Sequence, residues 1–420
     1  MKSESRKTVV FVECAAAMGG VQYSTLYIVR SLDPTEWRPI VVCPEEGDLT
    51  QACRDSGIEV HVLSQPRLWS TSVRVGSGRI PNPAAWVWDA FLIGRTARRL
   101  KRFLLQCSPD LVVTKGLSSH LLGGLAARKL RAPCVWHVQD FISQRTFGIY
   151  RRAFGWAARF LPEHIIVDGN SIAEQLPKSL QPRITVILNG VDTKVFRPDL
   201  DGTIVRQELG IANDDLVIGN LGRLTPWKGQ HYLIEAFASI AGDNPKVTLL
   251  LIGSPVFDND TYQRRLLKTV ADLGLEGRVK LPGYRHDTAN VLASMDIFAF
   301  TSAEKDTSPL ALLSAMSAGL PIVSFDIAGA RELMVNDDQF LLVPVADVAA
   351  LGSALASVVT NEKLRGSLAA AARKQAVTEF DVEIYRDRIE QVFSEVLLNG
   401  KVGNNATLPE VQRAASELQV

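Results

Sequence analysis

The chain has almost no net charge: 46 lysines and arginines face 45 aspartates and glutamates, leaving +1 over 420 residues. That balance lacks the basic surplus a nucleic-acid partner demands, so no nucleic acid is expected. Cysteine is scarce. The five (Cys14, Cys43, Cys53, Cys107, Cys134) are odd in number, scattered and never in CxxC spacing, which reads as reduced thiols of a cytoplasmic protein. No His/Cys cluster has metal-ligand spacing, and no metal site is expected. No apolar run reaches the ~18 residues of a membrane span, and the opening MKSESRKTVVFVE has no long apolar segment to serve as a signal peptide. Internal repeats and low-complexity tracts are missing too. Asn405-Ala406-Thr407 matches a glycosylation sequon, read as chance in a chain that is not exported.

What is present is a 46% hydrophobic fraction in alternating strand-like and helix-like runs. That is the pattern of an α/β protein, and the length allows two or three domains. The stretch 296–325 shows the unit. IFAF suits a buried parallel strand, AEKDT is a polar loop, and Ser308 is expected as N-cap with Pro309 as first helical residue. Leu310, Leu312, Leu313 and Met316 mark a helix that Gly319 stops, and 321–325 is the next strand. The helix starts at the carboxyl ends of strands, where an open parallel sheet binds anionic ligands. An ordinary βαβ unit without a ligand is the alternative.

The same rhythm runs along the chain. Strands are expected at 8–14, 39–43, 59–63, 111–114, 133–137, 165–168 and 184–188, with helices at 21–32, 49–56, 83–106 and 145–161. After the first strand, Gly19-Gly20 could let the backbone approach a ligand. His137 ends a strand and is either structural or a ligand contact. The 64–83 segment reads as a long loop. The helices at 83–106 and 145–161 combine aromatics (Trp86, Trp88, Phe91) with cations. They are either solvated basic faces or surfaces for an anionic membrane. The turn-rich 189–198 segment marks a domain boundary. Beyond it strands are expected at 216–221, 246–252, 278–281, 297–300, 321–325 and 339–343. Arg223 and Lys228, in a glycine-bounded loop at a strand end, suit a pyrophosphate or are plain surface cations. Helices at 346–360, 362–379 and 382–398 close the fold.

Four motifs in order, NGVDTKVFRP (189–198), GRLTPWKG (222–229), LPGYRHD (281–287) and SPLALLSAMSAGLPIV (308–323), together with Gly19-Gly20 and His137, resemble the retaining glycosyltransferases of family four. The resemblance implies the GT-B fold, two Rossmann-like doubly wound domains facing across a cleft. It implies an acceptor domain over 1–198 and a nucleotide-sugar domain over 199–380. A C-terminal helix, 381–398, would return towards the first domain, and 399–420 would form a mobile tail. Arg223 and Lys228 would hold the donor diphosphate, helped by backbone near Ser308, Pro309 and Leu310. Gly19, Gly20 and Gly222 would approach the donor, and His137 would bind a sugar hydroxyl. Tyr284 and Arg285 would cradle the base through their backbone. Such enzymes use these cations instead of a bound metal.

One departure stands out. The family carries two glutamates eight positions apart, and here those positions hold Asp306 and Ser314, with Glu304 and Thr307 close by. Asp306 can still bind sugar hydroxyls. Ser314 cannot supply the carboxylate that grips the ribose, a loss of about 1.5–3 kcal/mol. The expected activity is transfer of a sugar from a UDP- or GDP-linked donor to a saccharide or lipid-linked acceptor, at the cytoplasmic side of a membrane. The alternatives are a non-catalytic nucleotide-sugar-binding protein and an epimerase or hydrolase on the same fold.

Overall fold

The computed structural model describes residues 6–64, 72–75, 78–142, 149–255, 260–304, 306–336 and 338–406. Within them the chain forms two compact units. One combines residues up to Ile187 with those from Arg386 onward, and the other spans Leu188–Tyr385.

The first unit contains β1 (Lys7–Glu13), β2 (Trp37–Cys43), β3 (Glu59–Val62), β4 (Ser72–Val75), β5 (Gly78–Pro81), β6 (Leu111–Lys115), β7 (Cys134–Val138), β8 (His164–Val167) and β9 (Ile184–Val186). Seven of these make one sheet in the order β3-β2-β1-β6-β7-β8-β9, while β4 and β5 form a separate antiparallel ribbon. That ribbon corrects the expectation of a long loop over 64–83 at these two strands, while 65–71 and 76–77 lie outside the described residues. Val9–Val12 and Leu111–Val113 are buried throughout. Such unbroken apolar runs are what a parallel sheet covered on both faces requires. Phe393 from the C-terminal helix packs its ring on Phe11 and Trp37, at 6.3 and 5.7 Å.

The helix Leu117–Leu130 was not foreseen. Its Gly123-Gly124 pair masks the helical pattern, and both lie where an added Cβ would collide with Thr114 or Leu161. The C-terminal helix Val382–Ala406 also runs past residue 398, where a tail was expected. Glycine in a helix costs only about 1 kcal/mol relative to alanine, too little at Gly400 and Gly403 to stop it. Residues 407–420 lie outside the described residues, as do 143–148, so the helix expected over 145–161 is described only as Ile149–Phe160.

The second unit holds β10 (Leu216–Leu221), β11 (Val247–Ile252), β12 (Val279–Gly283), β13 (Ile297–Phe300), β14 (Ile322–Phe325) and β15 (Phe340–Val343), all parallel, in the order β12-β11-β10-β13-β14-β15. One apolar layer holds Leu233, Phe237, Leu351 and Leu355; the other holds Phe298, Leu312, Leu313 and Met316. Residues 189–198 pack within this unit. Arg373 pins them by donating to the carbonyls of Phe196 and Thr193 at 3.0 and 3.2 Å.

In both sheets the strand order reverses once, between β1 and β6 and between β10 and β13. At such a point the connections leave in opposite directions and open a crevice at the carboxyl ends of the strands. A ligand is expected at both places.

Candidate active site

At the reversal in the second unit, β10 leads into the loop Gly222–Gly229. The loop closes in a tight turn, Pro226–Lys228, and Gly229 adopts φ +70°. A Cβ there would lie 2.0 Å from the Thr301 carbonyl oxygen, so glycine lets the two strand ends approach. The loop is then laced to β13. Ala303 N–H donates to the Trp227 carbonyl (2.8 Å), and Thr301 Oγ1 to the Lys228 carbonyl (3.0 Å). Gln230 Nε2 donates to the Arg223 carbonyl at 3.0 Å.

The lacing delivers Lys228 to Asp306. Its ammonium forms an ion pair with Asp306 Oδ2, and the two side chains are 15% and 16% exposed. Ser302 Oγ donates to the same oxygen at 2.9 Å. The ammonium also lies 4.5 Å from the Trp227 ring centre and 5.6 Å from that of Phe300. Arg223 is exposed at the loop's other end, and Glu304 is exposed beyond Ser302. Lys228 and Asp306, singled out separately in the sequence, are thus one contact.

The helix that follows is Leu310–Ser317, with Pro309 as its N-cap. This corrects the expected cap. Ser308 sits one residue outside, at φ +37°, and its hydroxyl accepts from the Asn189 N–H at 2.7 Å. Asn189 Nδ2 donates to the Ser308 carbonyl at 2.9 Å. The cap residue was spent on anchoring the 189–198 segment, a tertiary contact that local propensity does not foretell. Thr307 is half-buried, and Ser314 is buried within the helix. Tyr284 is exposed, with its ring 4.8 Å from His286. Arg285 is a different case. Its guanidinium grips Asp287 through two bonds (2.8 and 2.7 Å) and Glu208 at 2.8 Å, so this side chain holds its own loop.

The reversal in the first unit carries three residues in a row across adjacent strands: Glu13 on β1, Lys115 beside it on β6, and His137 beside that on β7. All three are buried. The helix Gly20–Ser31 covers them. Thr25 Oγ1 and Gln22 Nε2 donate to Glu13, and Lys115 Nζ donates to Ser24 Oγ at 2.9 Å. Gln139 Nε2 reaches the same Ser24 Oγ at 3.1 Å. Burial pushes the Glu13 carboxyl up and the Lys115 ammonium down, each partly offset by the other's charge. Burial also holds His137 well below the ordinary imidazole value, aided by the Lys115 and His120 charges. Both His137 ring nitrogens are buried without a hydrogen-bond partner among the described residues. Gly19 and Gly20, at the start of that helix, are half-buried and exposed.

Glu13 and Lys115 were missed in the sequence. The signal was available: each is a charge closing an apolar strand, VVFVE and LVVTK. An Asp-x-Asp tripeptide also occurs, at 258–260, but its first two residues lie outside the described ones. Among the described residues no group of three or more His, Cys, Asp or Glu is placed to hold a metal ion.

Two parallel-sheet units with polar groups gathered at their reversals define a GT-B architecture, and the comparisons agree. The sequence model of glycosyltransferase family 4 matches residues 18–195, and that of glycosyl transferases group 1 matches 201–375. The chain belongs to the glycosyltransferases, with a family 4 first half and a group 1 second half. It is 27% identical over 414 residues to the Escherichia coli UDP-Gal:alpha-D-GlcNAc-diphosphoundecaprenol alpha-1,3-galactosyltransferase, covering 95% of this chain and 100% of that one. It is 30% identical over 200 residues to a D-inositol 3-phosphate glycosyltransferase of Stackebrandtia nassauensis, covering 46% of this chain and 45% of the relative. The crystal structure of Anabaena HepE in complex with UDP shares the fold, at TM-score 0.77 and 24% identity, over 92% of this chain and 100% of that one.

Proposed function

We propose that the chain transfers a sugar from a UDP- or GDP-linked donor to an acceptor hydroxyl with retention of anomeric configuration, and without a metal ion. The carrying observation is the Lys228–Asp306 pair at the β10/β13 reversal, next to the start of the helix Leu310–Ser317. Lys228 and Arg223 would neutralise the diphosphate as the glycosidic bond breaks. The first free N–H groups of the helix, at Leu310 and Ala311, would add to them. Both contacts to Asp306 converge on Oδ2, so Oδ1 would serve a sugar hydroxyl. In the first unit, His137 would bind another hydroxyl. A neutral imidazole has one donor and one acceptor, which match a hydroxyl group. Gly19 and Gly20 would approach the donor phosphates, and backbone at Tyr284 and Arg285 the base. The leaving phosphate would take the acceptor proton.

The acceptor in this reading is a saccharide or a lipid-linked saccharide of surface polysaccharide or glycolipid synthesis, as the E. coli relative's substrate supports. Peripheral contact with an anionic membrane at its inner face would come from the helix Ile149–Phe160, where Trp156 and Phe160 are 67% and 49% exposed beside Arg152 and Arg159. Trp86, part of the expected membrane face, has a side chain outside the described residues. Among the described residues no helix is long and apolar enough to cross a membrane.

The test is turnover of a panel of nucleotide sugars with saccharide and lipid diphosphate acceptors, in excess chelator, with the product anomer assigned by NMR. An inverted product refutes retention, and activity restored only by magnesium or manganese refutes metal independence. Binding of donor without any transfer would favour the non-catalytic alternative.

A further inference from the structure

The helix Pro83–Cys107 in the first unit presents one outward face with an unusual division of labour. Val87, Trp88 and Phe91 are exposed towards its start, with the Trp88 and Phe91 rings 5.7 Å apart. Arg95, Arg98, Arg99 and Arg102 follow at positions one turn apart on the same face, and all four are exposed. Phe91 and these arginines line a recess of about 430 Å³. Among the described residues Arg95, Arg98 and Arg102 have no ion-pair partner, and Arg99 donates only to the Ser64 carbonyl, at 3.4 Å. Four like charges one turn apart repel each other, so an anion bound among them relieves that repulsion.

We propose that this face binds a lipid diphosphate, the diphosphate held by the arginines and the hydrocarbon chain lying along Val87, Trp88 and Phe91. The inference rests on the reading above that the acceptor is lipid-linked, and it names the surface that would hold the lipid end. Positions 95 to 102 span about 10 Å of helix at 1.5 Å per residue, enough for two linked phosphates with room for a guanidinium on either side. Guanidinium forks grip phosphate oxygens in pairs and stay charged at any relevant pH. The apolar part decides between a discrete amphiphile and a flat bilayer surface. A helix lying in a membrane interface keeps its aromatics in one sector along its whole length, with cations flanking them. Here apolar and cationic groups succeed one another along the axis on one face, which is the order of tail and headgroup in a single lipid.

The test uses the full chain and farnesyl diphosphate, with farnesol, inorganic pyrophosphate and phosphatidylglycerol vesicles as comparison ligands. Wild type binds farnesyl diphosphate more tightly than either half of it. Arg98→Gln/Arg102→Gln, both at exposed sites, weakens that binding by on the order of tenfold or more and raises KM for a lipid diphosphate acceptor while donor KM stays unchanged. Phe91→Ser weakens farnesyl diphosphate but not pyrophosphate. Equal binding by wild type and the arginine variant overturns the proposal. So does a variant that loses only vesicle binding, which would make the face a membrane surface. Failure of the transferase reading looks different: wild type then turns over no donor with any acceptor, whatever the arginine variant binds.

Discussion

The two sheets present chemically different edges at the same topological place. At the β10/β13 reversal the charges are partly wet: Lys228 and Asp306 meet directly, and Arg223 and Glu304 stand in solvent. At the β1/β6 reversal Glu13, Lys115 and His137 are buried. A partly solvated pair can exchange its partner for a ligand cheaply, since little desolvation is undone. A buried row disfavours its charged forms but fixes a geometry. The second unit therefore has the chemistry to meet a variable, charged substrate, and the first keeps its imidazole neutral by burial.

The sharpest way to break this contrast is to remove the exchangeable cation. Lys228→Ala is expected to lower donor turnover by about two orders of magnitude, because the charge developing on the diphosphate loses a preorganised cation. The far-UV spectrum should hardly change, while Tm falls by a few degrees because the largely buried Asp306 loses its partner. Initial rates across a donor titration measure it, and a wild-type rate would reduce Lys228 to a surface charge.

The same contrast explains which parts were legible in sequence. Around the second site the chemistry is written contiguously: GRLTPWKG supplies both cations, and the 301–323 stretch supplies acid, turn and helix. Local rules mark the two cations and the acid-bearing loop, and the family resemblance singles out Asp306 within it. The local rules failed at Ser308, whose hydroxyl serves Asn189 from 119 residues away rather than its own helix. The first site is assembled from the ends of three strands and one covering helix. Each residue alone looks ordinary, and only sheet order brings Glu13, Lys115 and His137 side by side. The strands themselves were easy, because buried parallel strands are unbroken apolar runs.

A smaller effect is expected from the support of the acid loop. Gly329 lies so close that a Cβ would stand 2.0 Å from the Asp306 carbonyl oxygen. Gly329→Ala must push that backbone aside and move the carboxylate off Lys228. An activity loss on the order of tenfold is expected, since sub-ångström misplacement in a preorganised site is costly, with a drop of a few degrees in Tm. Glu304→Ala, on an exposed neighbour, should change Tm little; equal effects would deny the loop its special geometry.

The buried row is sharpened by pH. Glu13 is raised by burial from 4.5 to about 7 in the fold. Between those values the folded state keeps a proton that the unfolded chain has released, so the Glu13 contribution is intact below about 4.5 and is lost as pH rises towards 7. Glu13→Gln cannot titrate. Its stability relative to wild type should therefore improve between pH 5 and 7, by on the order of 1–3 kcal/mol. Urea unfolding at a series of pH values reads this directly, and parallel curves would mean that Glu13 titrates normally.

The smallest and most discriminating change is Ser314→Glu. Residue 314 is buried on the helix Leu310–Ser317, one turn beyond Leu310 on the same face. A glutamate there would reach along that face towards the helix start and the proposed ribose position. Without donor, its charge is buried and unpaired, so Tm should fall by a few degrees. With donor, two ribose hydroxyls can satisfy it, and a charged hydrogen bond is worth about 1.5–3 kcal/mol. Donor KM should then drop severalfold with kcat little changed, because the ribose contact is alike in ground and transition states. The donor-induced rise in Tm should exceed that of wild type. The competing possibility is that serine makes room for another nucleotide pose. A glutamate would then be crowded beside the diphosphate, and affinity and donor-induced Tm shift would both fall. Calorimetric titration of the two proteins with the preferred donor separates these outcomes, and weaker binding by the variant would move the ribose away from residue 314.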